Sequence, residues 1–294
     1  MKKTKILILG GNGFIGLHLQ KRLKDDGFDV SAEGDVTNYN DVESRIKDKD
    51  IIINLASIIQ PIGQFDPYID LDVNLKGQLN ILEARKNVNP NSKYIFIGSR
   101  MQFGKVDEKN LPVSENYPQN PTSMYGVHKF TAEKYCSIYN QAYNLESIIL
   151  RLPQVYGPSL NGKPTVSIIE KFIKIALRGE TFKVNGYGED LKDLIYIDDV
   201  VEAIVESLKS KVTNAVYNVG SGIGLKLAEI SKKIIEECGS GNFELVPFPD
   251  DLVKFELGSF YFDISKIKND LGWKPTVGIE EGIRRMIEWH KKNL

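Results

Sequence analysis

Three side chains of the sequence are of the types that move a proton beside a hydride acceptor. Tyr125 and Lys129 are four residues apart in MYGVHK, at the start of a predicted helix, so both side chains project from one helical face. A free tyrosine titrates near about pH 10, and an adjacent ammonium lowers that value by stabilising the phenolate. Ser99 follows a predicted strand at 94–97 and supplies a hydroxyl for a substrate oxygen. The set predicts Tyr125 as an acid/base partnered by Ser99 and Lys129.

A glycine-rich turn supplies the second chemical signal. The segment GGNGFIG at 10–16 lies between a predicted strand at 5–9 and a predicted helix at 13–26. Gly10 permits a tight turn, Gly13 lets the backbone approach a pyrophosphate, and Gly16 allows close packing of helix and strand. The N-terminus of that helix offers unpaired N–H groups to a phosphate. The segment therefore predicts a dinucleotide site that includes Phe14 and Ile15.

Further cofactor contacts are expected where the next two strands end. Glu33 can accept from a ribose 2′-OH and repels a 2′-phosphate, and no arginine follows it, which favours NAD without excluding NADP. Asp35 can receive the adenine amino group beside Val36, although a turn that caps the next helix is an alternative. Residues at the carboxyl end of the following strand lie where ligands dock in such sheets, unless they form a plain strand end. These residues are Leu55, Ala56 and Ser57.

The alternation of short β-branched runs with helical patterns predicts an α/β fold, a Rossmann-like doubly wound parallel sheet. Only about 18 residues separate strand two from Ile51, too few for two crossovers, so the sheet is expected to lack one β-α unit. The predicted dinucleotide-binding core is 1–152, with 191–220 returning to it. A smaller substrate lobe with C-terminal helices is predicted from 153–190 and 221–294.

Composition excludes several classes of function. The chain has 294 residues with 38 basic and 39 acidic side chains, so its overall charge favours neither nucleic acid nor an anionic membrane. Its two cysteines, Cys136 and Cys238, stand apart from any metal-ligand pattern, which predicts no metal and a reducing, cytoplasmic setting. No apolar stretch approaches the roughly 20 residues that cross a bilayer.

Together these motifs resemble an extended short-chain dehydrogenase/reductase of the NAD-dependent epimerase/dehydratase family. The resemblance covers nearly the whole chain through GGNGFIG, GDVTN, NLAS, DVNLKGQLNILEA, GSRMQFG, PTSMYGVHK, RLPQVYGP, KDLIYIDDV, YNVGSG and DISKIKNDLGWKP. It implies catalytic roles for Ser99, Tyr125 and Lys129, with Tyr125 and Lys129 also touching the cofactor. It further implies a cofactor contact at Asn74, a nucleotide-sugar substrate and a homodimer.

The chain departs from the family pattern on the substrate side. Dehydratases of the family carry an Asp-Glu pair directly after the Ser/Thr, where this chain has Arg100 and Met101, and neither of these can supply the proton for elimination. Lysines stand where the family usually has diphosphate-clamping arginines, so the bidentate fork is lost. Substrate contacts are nevertheless expected from Ser99, Arg100, Gln154, Lys192 and Lys254.

Three functions are consistent with these residues. The first is a nucleotide-sugar epimerase that removes a hydride at a sugar carbon and returns it to the other face. The second is a 4-ketoreductase of deoxysugar synthesis, which the shortened segment after strand two resembles. The third is a dinucleotide-binding regulator without catalysis, against which the intact Ser99, Tyr125 and Lys129 argue.

Overall fold

The computed structural model of the protein describes residues 3–59, 66–162, 167–250 and 256–293, and these divide into two compact units. The first unit comprises the described residues up to Gly104, together with Pro118–Leu152 and Val201–Tyr217. The second comprises Lys105–Tyr117, Pro153–Val200 and the described residues from Asn218 onward. The chain therefore rejoins the first unit at Val201. From the sequence, this return is expected to begin at residue 191.

A six-stranded sheet forms the centre of the first unit. Its interior strands are buried runs of aliphatic residues, the composition expected where helices cover both faces of a parallel sheet. The four pairings from β2 to β5 are all parallel. In sheet order the strands are β10 (Ala215–Asn218), β5 (Ile148–Leu152), β4 (Lys93–Ser99), β3 (Ile51–Asn54), β1 (Lys5–Leu9) and β2 (Asp29–Ser31). The predicted doubly wound fold is confirmed.

The sheet lacks one β-α unit after β2, as the short spacing predicted. Residues 32–50 contain only the helix α2, Tyr39–Ile46, and β2 pairs with β1 alone at the sheet edge. Asn38 caps α2, and its side chain accepts from the backbone N–H groups of Asn40 and Asp41. The loop after β2 therefore turns directly into α2 within a few residues.

Four further helices belong wholly to the first unit: α1 (Phe14–Asp25), α3 (Pro67–Leu71), α4 (Gly77–Val88) and α5 (Met124–Tyr143). The helix expected over 70–85 is present as a run from Pro67 to Val88, in which a π-helical turn at Asp72–Lys76 joins α3 to α4. The long loop expected over 100–121 contains two 3-10 turns, Arg100–Gln102 and Glu108–Asn110. The helix α7 (Ile197–Lys209) ends in this unit.

In its described residues the second unit contains three two-stranded sheets and four further helices that lie wholly within it. The sheets pair β6 (Gln154–Tyr156) with β9 (Leu194–Tyr196), β7 (Thr181–Asn185) with β12 (Asn242–Val246), and β8 (Leu191–Lys192) with β11 (Leu225–Lys226). The helices are α6 (Ile168–Leu177), α8 (Leu227–Cys238), α9 (Ser265–Leu271) and α10 (Ile279–Asn293). A buried carboxylate, Asp199, accepts from the backbone N–H groups of Thr276 and Val277 and so fixes the segment before α10.

Neither a membrane-spanning helix nor a metal-ligand cluster is found in the described segments. No helix there is long and apolar enough to cross a membrane. No group of three or more His, Cys, Asp and Glu side chains in those segments is arranged to hold a metal ion.

Candidate active site

Ser99 and Tyr125 come together because the turn after β4 packs against the first turn of α5. The residue after the tyrosine is Gly126, and a Cβ there would lie 2.3 Å from the carbonyl oxygen of Met101. Any larger residue at this position would push the serine turn away from the helix. Ser123 caps α5, its Oγ accepting from Gly126 N–H at 3.1 Å, which fixes where the helix begins. The helix therefore starts with Tyr125 facing the end of β4.

Burial and two serines act in opposite directions on the pKa of Tyr125. Desolvation is the main reason that the pKa of Tyr125 lies above its usual value, while hydrogen bonds from Ser57 and Ser99 lower the pKa. The negative charge of Asp70 adds a smaller raising effect on the same pKa. A phenol in this setting needs cationic neighbours to become a base near neutral pH.

Lys129 lies on the same face of α5 and is buried. Its Nζ donates to the Ile97 carbonyl oxygen at 2.9 Å and lies 5.9 Å from the centre of the Tyr125 ring. Burial lowers the pKa of Lys129 to about 8, against which the Asp70 charge acts in the opposite direction. The lysine thus lies near the Tyr125 ring, on the helical face that the four-residue spacing predicted.

A buried network fixes the backbone of Ser99. The Ser99 N–H donates to Gln102 Oε1 at 2.7 Å, and Gln102 Nε2 donates to Glu133 at 2.7 Å. Glu133 accepts in turn from Arg151 Nε at 2.9 Å, and both side chains are only 5% exposed. Met101 N–H donates to Ser99 Oγ at 3.2 Å, which leaves the serine proton available for another oxygen. Gln102 and Glu133 carry no motif of their own, and sequence reasoning missed them.

A second buried pair joins Asp70 to His128, the residue before Lys129, and the charge of Asp70 acts on both Tyr125 and Lys129. His128 Nδ1 and Asp70 Oδ1 are 2.5 Å apart, and the two side chains are 4% and 1% exposed. The other oxygen of Asp70 has no hydrogen-bond partner among the residues that the structure describes. The pair joins α3 to α5 and places a carboxylate near the acid/base residues. Sequence reasoning missed it, since the only signal is that His128 precedes Lys129.

The glycine turn has the shape that a pyrophosphate needs. Gly10 has a φ of +79°, and a Cβ there would lie 2.5 Å from the Ala56 backbone nitrogen, so the turn is closed to side chains. Gly13 is the N-cap of α1 and supplies no side-chain cap, and no acidic residue stands in the first turn. The leading N–H groups of the helix are therefore not satisfied by a side-chain cap, and this suits an anion. Phe14 and Ile15 open the helix, half-buried.

Glu33, the residue expected to contact the ribose 2′-OH of the cofactor, is paired with an arginine. Arg45, from α2, brings Nη1 to 3.6 Å of Glu33 and Nε to 2.8 Å of Asp41. No arginine directly follows Glu33 in the sequence, but the fold places Arg45 beside it, with two carboxylates around the guanidinium. Asp35 accepts from the Thr37 N–H and hydroxyl within the turn. Val36 is buried in the core, where a Cβ on Gly77 would meet its side chain at 2.7 Å.

The segment after β3 follows the glycine turn along the sheet edge. Leu55 N–H donates to Leu9 O at 2.9 Å, and Ala56 N–H donates to the Asn54 side chain at 3.0 Å. Ser57 donates to Asn74 Oδ1 at 2.9 Å, and Asn74, in the π-helical turn, is 2% exposed. The side-chain amide of Asn74 is thus used to hold the segment after β3. π-helical turns of this kind are frequent at functional sites.

The predicted substrate residues fall in different places. Ser99 and Arg100 stand at the turn after β4 in the first unit, and Arg100 is half-buried. In the second unit Gln154 is exposed, while Lys192 Nζ lies 3.0 Å from Glu256 and 3.6 Å from Asp190. Two carboxylates therefore surround the lysine proposed to hold a diphosphate. Lys254 lies outside the described residues.

The fold and this serine, tyrosine and lysine set are those of a short-chain dehydrogenase/reductase. Known proteins with similar sequences identify the family within this class. The sequence profile of the NAD dependent epimerase/dehydratase family matches residues 6–220. A curated protein of Methanocaldococcus jannaschii, named "Putative UDP-glucose 4-epimerase", is 32% identical, with 98% of this chain and 99% of that protein covered.

Two solved structures are similar over nearly the whole chain. The UDP-glucose 4-epimerase of Thermotoga maritima, solved with UDP-glucose, has a TM-score of 0.89 at 26% identity, covering 99% of each chain. The UDP-glucose 4-epimerase of Thermus thermophilus, solved with NAD, has a TM-score of 0.86 at 26% identity, covering 99% of this chain and 100% of that chain. This chain belongs to the NAD dependent epimerase/dehydratase family, and the predicted resemblance is confirmed. The name of the family spans more than one reaction, so membership leaves the substrate and the carbon open.

Proposed function

We propose that the protein is a nucleotide-sugar epimerase in which Tyr125 is the acid/base. The observation that carries the proposal is the position of buried Lys129, whose Nζ lies 5.9 Å from the centre of the Tyr125 ring, beside the Ser99 turn that packs against the start of α5. The relatives named UDP-glucose 4-epimerase support a sugar joined to UDP as the substrate class.

In the proposed reaction the phenolate form of Tyr125 takes the proton of a sugar hydroxyl. Ser99 keeps a free proton because its Oγ is oriented by Met101 N–H, so it can donate to the oxygen that becomes a carbonyl. The Lys129 ammonium, which is 2% exposed, offsets the phenolate charge. Inversion requires the oxidised sugar to turn over before Tyr125 returns the proton to its oxygen.

We propose NAD as the cofactor, held by the glycine turn at Gly10, Gly13 and Gly16. When bound, the nicotinamide ring supplies the hydride acceptor. Phe14, Ile15, Leu55 and Ala56 are the proposed neighbours along the sheet edge, and Asp35 the proposed partner of the adenine. Because two carboxylates surround Arg45, a 2′-phosphate meets net negative charge at Glu33, which favours NAD over NADP.

Dehydration is disfavoured because the turn after Ser99 has no titratable carboxyl group. Arg100 and Met101 stand at the start of that turn, and neither can exchange a proton near neutral pH. A 4-ketoreductase is the second candidate. A 4-ketoreductase would use Ser99, Tyr125 and Lys129 for one reduction step and not for an oxidation followed by a reduction. The shortened connection between β2 and β3 is the feature that favours it.

Cofactor content separates the two candidates. The freshly purified protein is denatured, and the released nucleotide is quantified by chromatography. An epimerase retains NAD and interconverts two UDP-sugars without added cofactor, whereas a reductase emerges empty and consumes NADH or NADPH. The assay uses UDP-, dTDP-, CDP- and GDP-sugars in parallel. Stoichiometric consumption of a reduced cofactor with a 4-keto sugar would replace the epimerase proposal by the reductase.

We also propose that the protein forms a homodimer. Exposed apolar side chains stand on α4 and α5, which flank the Ser99 turn: Leu79, Ile138 and Tyr143. Light scattering coupled to size-exclusion chromatography measures the mass directly. A monomer at micromolar concentration would exclude this assembly.

A further inference from the structure

A chain of buried side chains connects the helix α4 to the end of β3. Gln78, in the first turn of α4, accepts at Oε1 from Asn54 Nδ2 at 2.8 Å and from the Tyr94 hydroxyl at 2.7 Å. Its Nε2 donates to Cys136 Sγ, in α5, at 3.1 Å. These four residues are between 1% and 3% exposed. A hydrogen bond lost among them is therefore not readily replaced by one to bulk water.

These bonds favour one orientation of the Asn54 amide. Because Gln78 Oε1 is an acceptor, the Asn54 side chain turns its NH2 group toward it. The other end of the amide, Oδ1, then faces the backbone N–H of Ala56 and accepts from it at 3.0 Å. With the amide reversed, two oxygens would face each other at Gln78 and two donors would meet at Ala56. Gln78 thus decides where the Asn54 oxygen lies.

Ala56, which Asn54 holds in this way, packs against the glycine turn. A Cβ on Gly10 would lie 2.5 Å from the Ala56 nitrogen and 2.7 Å from its Cα, so the two backbones approach too closely for any side chain between them. The Gly10 carbonyl oxygen accepts from Gly13 N–H at 3.1 Å within the turn. A displacement of Ala56 is therefore expected to change the shape of the turn that is proposed to hold a pyrophosphate.

The same helical run holds the other end of the segment after β3. Asn74, in the π-helical turn before α4, accepts from Ser57 Oγ at 2.9 Å and from Ile58 N–H at 3.1 Å. Its Nδ2 donates to Ile58 O at 2.9 Å. Two amide side chains of one run thus fix both ends of residues 54–58, Asn74 directly and Gln78 through Asn54.

We propose that Gln78 is a positioning residue of the dinucleotide site, which keeps Ala56 against the glycine turn by orienting the Asn54 amide. The proposal rests on the proposed function in one respect, that the glycine turn binds NAD, and it does not depend on the sugar. Without the Gln78 acceptor, the Asn54 amide is free to rotate and Ala56 loses its partner for part of the time. The fraction of molecules that can bind NAD then falls, and the apparent affinity falls in proportion.

The test is the dissociation constant of NAD, measured by equilibrium dialysis over a series of free NAD concentrations. Gln78→Met keeps the length of the side chain and removes its amide, and the dissociation constant is expected to rise about tenfold, the effect of one buried hydrogen bond on an equilibrium. Asn54→Ala is expected to give a similar rise. If Gln78 acts through Asn54, the double variant also shows a rise of about tenfold, whereas independent effects would multiply to about a hundredfold.

A matched control separates positioning from general stability. Asn89, the residue after α4, donates to the carbonyl oxygens of Ile46 and Lys49, before the start of β3 and so at the end of the strand away from the glycine turn. Asn89→Ala is expected to lower the midpoint of urea unfolding without weakening NAD binding. Circular dichroism shows whether each variant is folded, and Gln78→Ala takes the place of Gln78→Met if the latter does not fold.

An unchanged NAD dissociation constant in folded Gln78→Met would overturn the proposal, as would an equal rise in Asn89→Ala. A rise of about a hundredfold in the double variant would exclude the route through Asn54 and overturn it as well. A protein that binds NAD and shows the expected effects but acts on no nucleotide sugar would contradict the proposed function and leave the role of Gln78 established. The two failures are therefore distinguishable.

Discussion

The buried ion pair of Glu133 and Arg151 yields the most quantitative prediction. Both side chains are 5% exposed, and Arg151 Nε lies 2.9 Å from Glu133. Glu133→Gln keeps the shape of the side chain but leaves the guanidinium of Arg151 without a counter-charge. Removing one partner of a buried pair costs about 3–5 kcal/mol of unfolding free energy. At about 2–4 °C for each kcal/mol in a chain of this size, the melting temperature is expected to fall by about 6–20 °C.

Urea unfolding followed by circular dichroism measures this free energy directly. The matched control is Glu180→Gln, which neutralises a glutamate paired with Arg178 at 3.0 Å, where both side chains are more than half exposed. Solvent screens that pair, so the control is expected to unfold with the parent. If Glu133→Gln lost no more stability than Glu180→Gln, the inference that this network holds the Ser99 turn rigid would be refuted.

Three further predictions concern charges near the site. The pKa of Lys129 is lowered to about 8 from 10.5, so between those pH values the folded state binds fewer protons than the unfolded state and becomes more stable as the pH rises. Lys129→Met should therefore stabilise the protein most below pH 8, by about 3 kcal/mol more than at pH 10.5. A gain in unfolding free energy that does not change with pH in urea titrations would contradict this. His128→Ala should lower the unfolding free energy by about 3–5 kcal/mol by leaving the Asp70 carboxylate buried and unpaired, while the double variant with Asp70→Ala should lose less than the sum, and additive losses would show that the pair is not coupled. Glu33→Gln removes one of the two carboxylates beside Arg45, so a 2′-phosphate meets less negative charge there and the preference for NAD over NADP should fall about tenfold in fluorescence titrations. An unchanged ratio would exclude Glu33 from cofactor choice.

The elements that carry chemistry were predictable where a short motif needs one local geometry. The glycine turn lies between β1 and α1, as the spacing of Gly10, Gly13 and Gly16 requires. Tyr125 and Lys129 share a face because a helix places residues four apart on one side. The missing β-α unit followed from counting residues, since a crossover needs a minimum length of chain.

The parts that the sequence could not predict depend on contacts between distant segments. The π-helical turn at Asp72–Lys76 interrupts a helical pattern that continues through it, so periodicity cannot reveal it. Arg45 reaches Glu33 only after α2 has folded back along β2. Gln102 resembles any polar residue of a loop, and only the placement of Glu133 and Arg151 makes it a support for Ser99.

The central claim is that Tyr125 exchanges the proton of the substrate. The measurement that tests it most directly is the turnover of Tyr125→Phe with the nucleotide sugar that the screen identifies, together with the affinity of this variant for NAD. The account predicts that turnover falls by at least about a hundredfold, the scale of positioned acid/base catalysis, while the affinity for NAD stays close to that of the parent. Turnover within a fewfold of the parent would contradict the account.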